Sequence, residues 1–315
     1  MRKNRISMLL FFTVIFGVII YSAYGMLDQG KEDEYDTVSV VVNDSSNERW
    51  DAFREGLEQG AEDNHMHLNF VYTGKFQDAE EQYAAIKKEL DAETDGIIIA
   101  PYSSEEDRLL PTLTSVPTVL VQSGIETDKL FTTVMTDHGK AGKSLADAVI
   151  EDGVTSVGIF SGNQRQQGMR QRLKALKEEL EAAGVAIEWV ISDKELIRKL
   201  RSSDADKLSV DVVVSLENDS TEKAVDMLLE SSKFSYKIYG EGRSEKLMYY
   251  LDKGIIQELI VPNEYYMGYQ SVSIVAQNIQ YHTEKTEQVE VDFFRVTKDN
   301  LYEEEMSRIL FPIVR

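Results

Sequence analysis

The sequence predicts an α/β protein with two lobes, each built on a parallel sheet that helices cover. Strand-length runs that are apolar throughout alternate with segments whose apolar residues recur at helical spacing. Apolar strands separated by helices are typical of parallel sheets buried on both faces. About ten such strands follow one another between Val38 and Val261, which favours two sheets over one.

The N-terminal segment has the length and flanks of a membrane-spanning helix. Three basic residues among the first five precede an uncharged run from Ile6 to Leu27. At about 1.5 Å per helical residue this run spans roughly 33 Å, enough to cross the core of a bilayer. Because positive flanks stay in the cytoplasm, we expect residues 1–27 to form a single-pass anchor, with the rest of the chain on the outer face of the cytoplasmic membrane.

The alternative is a cleaved signal peptide that would leave a secreted protein. Ala23 and Gly25 are small residues in an arrangement that a signal peptidase could accept. The apolar run is longer than the roughly 7–15 residues usual for a signal peptide, and this favours retention.

The chain after this segment begins with four predicted strands and three predicted helices. Trp50, Phe53, Leu57 and Ala61 show the helical spacing of the first helix. The strands are Val38–Val42, Leu68–Tyr72, Ile97–Ala100 and Thr118–Val121, and the helices cover 50–61, 77–90 and 104–113.

The same alternation resumes after Thr136 and predicts the second lobe. The strands are Ser156–Phe160, Val185–Ile191, Asp211–Leu216, Tyr236–Tyr239 and Ile255–Val261. The helices cover 138–151, 168–183, 193–201, 219–231 and 244–252. Ligands of open parallel sheets bind beyond the carboxyl ends of the strands. Polar residues that lack a nucleophile–base pair follow these ends, and they suit a neutral polyol: Asn43, Asp44, Gln122, Ser123, Ser161, Glu217, Asn218 and Glu241.

Composition excludes several classes of protein. The net charge of −21 argues against nucleic-acid binding, because phosphates are held by Lys and Arg. The absence of cysteine excludes disulfides, Cys-ligated zinc, a thiol nucleophile and a lipid-modified N-terminal Cys. The segment Gly139–Ser144 imitates a phosphate-binding loop, but Asp137 stands where that pattern needs Gly. His65 and His67 lack a third ligand for a metal site. We expect no cofactor and no metal.

Several segments in unbroken order from about residue 37 to 302 resemble the sugar-binding branch of the type I periplasmic binding proteins, the ribose-binding-protein-like family. The matching motifs are Asn47-x-x-Trp50-x-x-Phe53-x-x-Gly56, Asp95–Pro101, Val116–Val119, Asp137 with Ala141-Gly142, Gly162 with Arg170, Tyr239–Gly242, Met267–Tyr269 and Val296–Leu301. The resemblance implies two Rossmann-like lobes joined by a three-segment hinge and closing around one ligand. It places lobe 1 at 37–136 with 263–283, lobe 2 at 137–262 with 288–300, and a C-terminal tail at 301–315.

The resemblance also implies a set of ligand-binding residues. These are Arg49, Trp50, Gln122, Ser123, Arg170, Asn218, Glu241 and Asn263. Trp50 has the indole face on which a sugar ring can stack, and we expect it to face Arg170 across the cleft. Other roles remain open for three of them: a core position for Trp50, a solvated charge for Arg170 and an unpaired surface acid for Glu241.

Two departures from the family pattern leave the ligand's identity open. Gln122-Ser123 replaces an Asp-Arg pair, and Pro262, with Asn263 beside it, replaces a ligand-binding glutamine. The leading expectation is a non-catalytic receptor for a sugar-like molecule that serves an ABC transporter permease or a membrane histidine kinase. The alternatives are a binding module for a non-sugar signal, such as a furanone or a carboxylate-bearing ligand, and an enzyme of the glycosidase type.

Overall fold

The computed structural model describes residues 15–19, 35–105, 115–127, 131–192, 210–230, 235–283 and 288–310. The chain divides into a unit of residues 1–36 and a compact unit of residues 37–315. In the first unit, residues 15–19 are helical, and the rest of the predicted anchor lies outside the described residues. Among the described residues, no helix combines the length and the apolar character needed to cross a membrane. Most of predicted helix 104–113 and all of helix 193–201 also lie outside them.

Two six-stranded sheets organise the compact unit, which confirms the predicted two-lobe α/β fold. The first sheet has the order β11-β5-β4-β3-β1-β2, and all its strands are parallel. Its strands are β1 (Thr37–Val41), β2 (His67–Phe70), β3 (Gly96–Ile99), β4 (Thr118–Val121), β5 (Thr132–Thr136) and β11 (Gln288–Val291).

The second sheet has the order β12-β10-β9-β8-β6-β7, and only the pairing of β12 with β10 is antiparallel. Its strands are β6 (Ser156–Phe160), β7 (Ala186–Ile191), β8 (Val212–Ser215), β9 (Lys237–Glu241), β10 (Ile256–Pro262) and β12 (Phe293–Thr297). The central strands β3, β4 and β8 are buried at every residue, because helices cover both faces of a parallel sheet.

Eight helices accompany the sheets within the described part of residues 37–315, after a short 3-10 turn at Glu48–Trp50. They are α1 (Asp51–Asp63), α2 (Ala79–Asp91), α3 (His138–Glu151), α4 (Gln167–Ala182), α5 (Asn218–Glu230), α6 (Glu245–Asp252), α7 (Glu264–Tyr281) and α8 (Glu304–Leu310). Helix α1 packs against α7, and α3 packs against α4. The second contact is close, since a Cβ on Gly142 would lie 2.3 Å from the Arg172 carbonyl oxygen.

The chain passes between the sheets three times, and the last passage corrects a predicted boundary. The passages lie between β5 and β6, between β10 and α7, and between β11 and β12. The sequence assigned 288–300 to the second lobe, but β11 pairs with β5 in the first sheet, so the change of sheet falls at Asp292. Asp292 alone connects β11 to β12, and its carbonyl accepts a hydrogen bond from the Asn263 N–H at 2.9 Å.

Candidate functional site

A cavity of about 540 Å³ lies between the two sheets, at the carboxyl ends of their strands. Its volume is within the range of small-molecule sites, roughly 300–1,000 Å³. Residues that follow strands of the first sheet line one wall, and they are Asn43, Ala100, Pro101 and Gln122. Residues at or after strands of the second sheet line the other wall, and they are Gly162, Ser192, Glu217, Glu241 and Gly242. This placement agrees with the position at which open parallel sheets bind ligands.

Arg49 and Trp50 both line the cavity, but they pack on each other. The Arg49 guanidinium lies 4.4 Å from the centroid of the Trp50 ring. The indole has no solvent exposure, donates from Nε1 to the Asn43 carbonyl at 3.0 Å and packs against Phe53. Trp50 therefore has the core role that its sequence left open, and Arg49 covers its ring as a cation–π partner.

Gln122 and Ser123, adjacent in sequence, have different surroundings. Gln122 has a positive φ of 63° and lines the cavity. Ser123 is only 1% exposed and does not line it. Its hydroxyl accepts a hydrogen bond from the Gly168 N–H at 3.2 Å. The structure thus places Ser123 against the beginning of α4 instead of against the cavity.

The N-terminus of α4 receives its caps from the opposite lobe. Its own N-cap residue, Gln166, makes no side-chain capping bond. The Gln167 N–H donates instead to Ser104 Oγ at 2.8 Å, and the neighbouring Gly168 N–H to Ser123 Oγ. Free N–H groups at a helix start need such acceptors. Two serines of the first lobe therefore cap a helix of the second lobe.

The structure corrects the prediction for Arg170. Arg170 does not line the cavity; it donates to the carbonyls of Gln164 and Arg165 and pairs with Glu126. Residues two apart on an α-helix point about 200° apart, because each residue turns the helix by about 100°. Arg172, two positions later, faces the cavity, and its side chain is 2% exposed.

Arg172 is the centre of a buried polar network. It forms an ion pair with Glu241, donates to the Leu216 carbonyl and contacts His138 Nδ1 at 2.8 Å. Burial, reinforced by the Arg172 charge, lowers the pKa of His138 to about 3. The imidazole is therefore neutral near pH 7.

Asn218 and Asn263, two further predicted residues, each accept a hydrogen bond from a backbone N–H of the protein. Asn218 lines the cavity, and its Oδ1 accepts from the backbone N–H of Arg243 at 3.0 Å, which fixes the loop before α6. Asn263 caps α7 by accepting from the Tyr266 N–H at 3.1 Å and lies outside the main cavity. Its neighbours Pro262 and Glu264 do line the cavity.

Charges of both signs balance on the cavity wall. The basic lining residues are Arg49, Arg165, Arg172 and Arg243, and the acidic ones are Glu217, Asp219, Glu241 and Glu264. Burial raises the pKa of Glu241 to about 7 against the opposing charge of Arg172. Burial also raises the pKa of Glu264 to about 7 against Arg243 and Arg49. Both carboxyls therefore titrate close to neutral pH.

The cavity concentrates unsatisfied polar atoms. Seven buried side-chain polar atoms lack a hydrogen bond among the described residues, and five belong to residues that line the cavity. These five are Thr136 Oγ1, Arg172 Nε, Glu241 Oε2, Arg243 Nε and Glu264 Oε2, of which Glu241 Oε2 is the oxygen that forms the ion pair with Arg172. Buried polar groups are otherwise nearly always hydrogen-bonded, so this concentration marks a site that lacks its partner groups.

Sequence reasoning missed Arg172, Arg243 and Glu264. The helical face of α4 could have indicated Arg172, because the buried side of that helix also carries Leu176 and Leu180. Arg243 gave no such signal, since its guanidinium is held by the Leu310 carbonyl, 67 residues away. Glu264 follows a passage between the sheets, and sequence alone does not show on which side of Asn263 the cavity lies.

Comparisons with solved structures agree with this architecture. A carbohydrate transporter solute-binding protein from Agrobacterium radiobacter, in complex with D-arabinose, aligns with a TM-score of 0.75 at 18% identity, over 89% of this chain and 100% of the other. GanP, a glucose-galactose binding protein from Geobacillus stearothermophilus, aligns with a TM-score of 0.69 at 20% identity, over 86% of this chain and 100% of the other. A chain of the XylFII-LytSN complex aligns with a TM-score of 0.69 at 18% identity, over 84% of this chain and 98% of the other.

Sequence comparisons give the family. No curated protein matches the chain. A family model described as a periplasmic binding protein domain matches residues 38–283, which run from β1 through α7 and stop short of β11 and β12. Since this match covers well over half of the sequence, and the two parallel-sheet lobes agree with it, the chain belongs to the periplasmic binding protein domain family.

Proposed function

We propose that this protein is a non-catalytic extracytoplasmic receptor for a neutral, hydroxyl-rich small molecule, a sugar or a sugar-like polyol. The unsatisfied polar atoms of the cavity carry the proposal. The two arginine Nε atoms can only donate, and the Glu264 Oε2 atom accepts. A hydroxyl both donates and accepts, so adjacent hydroxyls of one ligand can satisfy both kinds of atom.

The balance of charges supports a neutral ligand over a charged one. Four basic and four acidic residues line the cavity, so their charges cancel once Glu241 and Glu264, with pKa values of about 7, are both ionised. The names of two similar proteins point in the same direction, since one is in complex with D-arabinose and the other binds glucose and galactose. These names support the ligand class and leave the particular sugar open.

The proposed location is the outer face of the cytoplasmic membrane, with residues 1–27 as the anchor. The family and the basic flank of the apolar run support this placement. The proposed partner is an ABC transporter permease or a membrane histidine kinase. Similar structures include a sugar ABC transporter protein from Bacillus halodurans and XylFII, which is solved in complex with LytSN.

Isothermal titration calorimetry of the full-length protein tests the ligand class. The panel contains D-arabinose, D-glucose and D-galactose, with glucuronate and glucosamine as charged counterparts. We expect heat with at least one neutral sugar and weaker or no binding of its charged counterpart. Preferential binding of glucuronate would instead support the carboxylate-bearing alternative, and no heat with any neutral sugar or polyol would contradict the proposal.

Recovery of the bound sugar tests the absence of catalysis. Mass spectrometry of a neutral sugar or its glycoside after prolonged incubation should return the compound unchanged. Turnover that disappears in a Glu241→Gln variant would establish the glycosidase alternative. Lys174→Gln, at an exposed position on α4, is the control.

A further inference from the structure

His138 has a single arrangement of its ring hydrogen. It is the first residue of α3, directly after the first passage between the sheets, and is 6% exposed. Nδ1 lies 2.8 Å from Arg172 Nη2, and Nε2 lies 2.6 Å from the Gln122 carbonyl oxygen. A guanidinium has donors only, so Nδ1 must accept and Nε2 must carry the hydrogen. The imidazole thus accepts from one lobe and donates to the other.

These bonds form a continuous connection from one lobe to the cavity. Gln122 follows β4 of the first sheet, whereas Arg172 lies on α4 of the second lobe and pairs with Glu241 at the cavity. The connection runs from the Gln122 carbonyl through His138 to Arg172 and Glu241. A change at the cavity that moves Arg172 must therefore also disturb the contact between the lobes.

Close packing leaves these groups little freedom. A Cβ on Gly168 would lie 2.2 Å from His138 Nε2, so the imidazole lies directly against the beginning of α4. The tight contact at Gly142 holds α3 against α4, which keeps His138 and Arg172 at a fixed spacing. The charged groups near the ring are Arg172 and Asp137.

We propose that His138 is a positioning residue that holds Arg172 at the cavity and ties its position to the angle between the lobes. The coupling of this angle to a ligand rests on the proposed function, but the positioning role concerns the free protein. The positioning role and the proposed function can therefore be tested, and can fail, independently of each other.

The distance between the lobes in the ligand-free protein tests the positioning role. The native chain has no cysteine, so Ala84→Cys on α2 and Ala182→Cys on α4 give a single pair of spin-label sites in the full chain. His138→Phe keeps the ring but removes both hydrogen bonds, and His138→Gln retains an acceptor and a donor. We expect double electron–electron resonance to show a longer or broader distance distribution for His138→Phe. The distribution for His138→Gln should remain close to that of the parent.

Two controls separate positioning from general destabilisation. His67→Phe changes an exposed histidine on β2 and should leave the distribution unchanged. Thermal melting of each variant confirms that it folds. In addition, ¹⁵N spectra of the parent should show His138 as the Nε2–H tautomer. Arg172→Met should alter this spectroscopic signature. An unchanged distribution in His138→Phe, or an equal shift in His138→Gln, would overturn the proposal.

Titration with D-arabinose, D-glucose and D-galactose tests the coupling. For a sugar that binds the parent, His138→Phe should lower the affinity about tenfold, and His138→Gln should restore most of the loss. If no sugar binds the parent while the distances change as expected, the positioning role stands and the proposed function fails. If a sugar binds both variants equally and the distances do not change, the positioning role fails and the proposed function stands.

Discussion

At the scale of single residues, Arg172 and Arg170 make a matched pair on one helix. Arg172 is buried at the cavity, whereas Arg170 is engaged with carbonyls and Glu126 away from it. Arg172→Met should weaken sugar affinity by roughly tenfold to a hundredfold, because hydrogen bonds to a charged group contribute about 1.5–3 kcal/mol. Arg170→Met should leave the affinity within about threefold, which is less than 1 kcal/mol. Calorimetry with the sugar found in the panel measures both.

The opposite order of effects would mean that Arg170 reaches the ligand in a conformation that differs from this structure. Thermal melting is needed beside calorimetry. Removing one partner of a buried ion pair leaves the other charge uncompensated, here Glu241, and destabilises a protein by about 3–5 kcal/mol. The affinity of Arg172→Met is therefore measured at a temperature where the variant is folded.

Glu264 predicts a pH dependence of binding. Burial raises the pKa of its carboxyl to about 7, and its Oε2 has no hydrogen-bond donor. A ligand hydroxyl that donates to this oxygen favours the ionised form, so the pKa falls on binding and a proton is released near pH 7. Affinity should therefore increase as the pH rises from about 6 to 8.

Glu264→Gln should reduce this pH dependence, because glutamine does not titrate. Glu241 titrates in the same range, so a smaller dependence remains and Glu241→Gln is the companion variant. Calorimetry in two buffers with different ionisation enthalpies measures the proton release directly. Affinity that falls with rising pH would show instead that the protonated carboxyl donates to the ligand.

At the scale of secondary structure, the caps of α4 are the unusual feature. A cap normally comes from the residue that begins the helix, as Ser244 does for α6. Here Ser104 and Ser123 of the other lobe supply the acceptors for α4. The first turn of α4 is therefore capped by protein only while the lobes stay together.

The double variant Ser104→Ala/Ser123→Ala should expose the first turn of α4. Loss of an N-cap costs about 0.5–2 kcal/mol, so we expect a lower melting temperature and faster amide exchange at Gln167 and Gly168. Ser244→Ala, which removes a cap within one lobe, should lower stability without changing exchange at these two amides. Equal protection in the double variant and the parent would show that the serine contacts do not persist in solution.

The strands that the sequence missed, β5, β11 and β12, lack the continuous apolar run of a buried strand. β6 was predicted with its observed bounds, because it is a central strand and is apolar along most of its length. β11 and β12 are edge strands with exposed residues, so neither has the continuous apolar run of a buried strand. β5 was missed because three of its five residues are threonine.

The site was predictable in outline, and its details depended on packing. Strand-end positions correctly indicated the cavity wall at Gln122, Asn218 and Glu241. Sequence could not show that the Ser123 hydroxyl caps α4, because its partner lies 45 residues away. Nor could it show that Arg49 covers the face of Trp50, since adjacent residues contact each other in this way only in particular rotamers.

At the scale of the whole molecule, the N-terminal segment predicts how the protein is recovered. If residues 1–27 are an anchor, the protein should remain with the membrane fraction after alkaline washing, and its N-terminal sequence should include residues before Gly25. The physical reason is the uncharged run of roughly 33 Å, which matches the bilayer core. A soluble form that begins at Met26 would show that the segment is a cleaved signal peptide.

The single-residue link at Asp292 limits how the lobes can move. One residue connects β11 of one sheet to β12 of the other, and its carbonyl is hydrogen-bonded to Asn263 at another passage. With one residue between the strands, the sheets have no slack to separate or slide at this point. We therefore expect the lobes to move by rotation about this edge of the molecule, where Asn263 and Asp292 meet. Displacement should then grow with distance from that edge, so the rim of the cavity farthest from it is where we expect the largest movement.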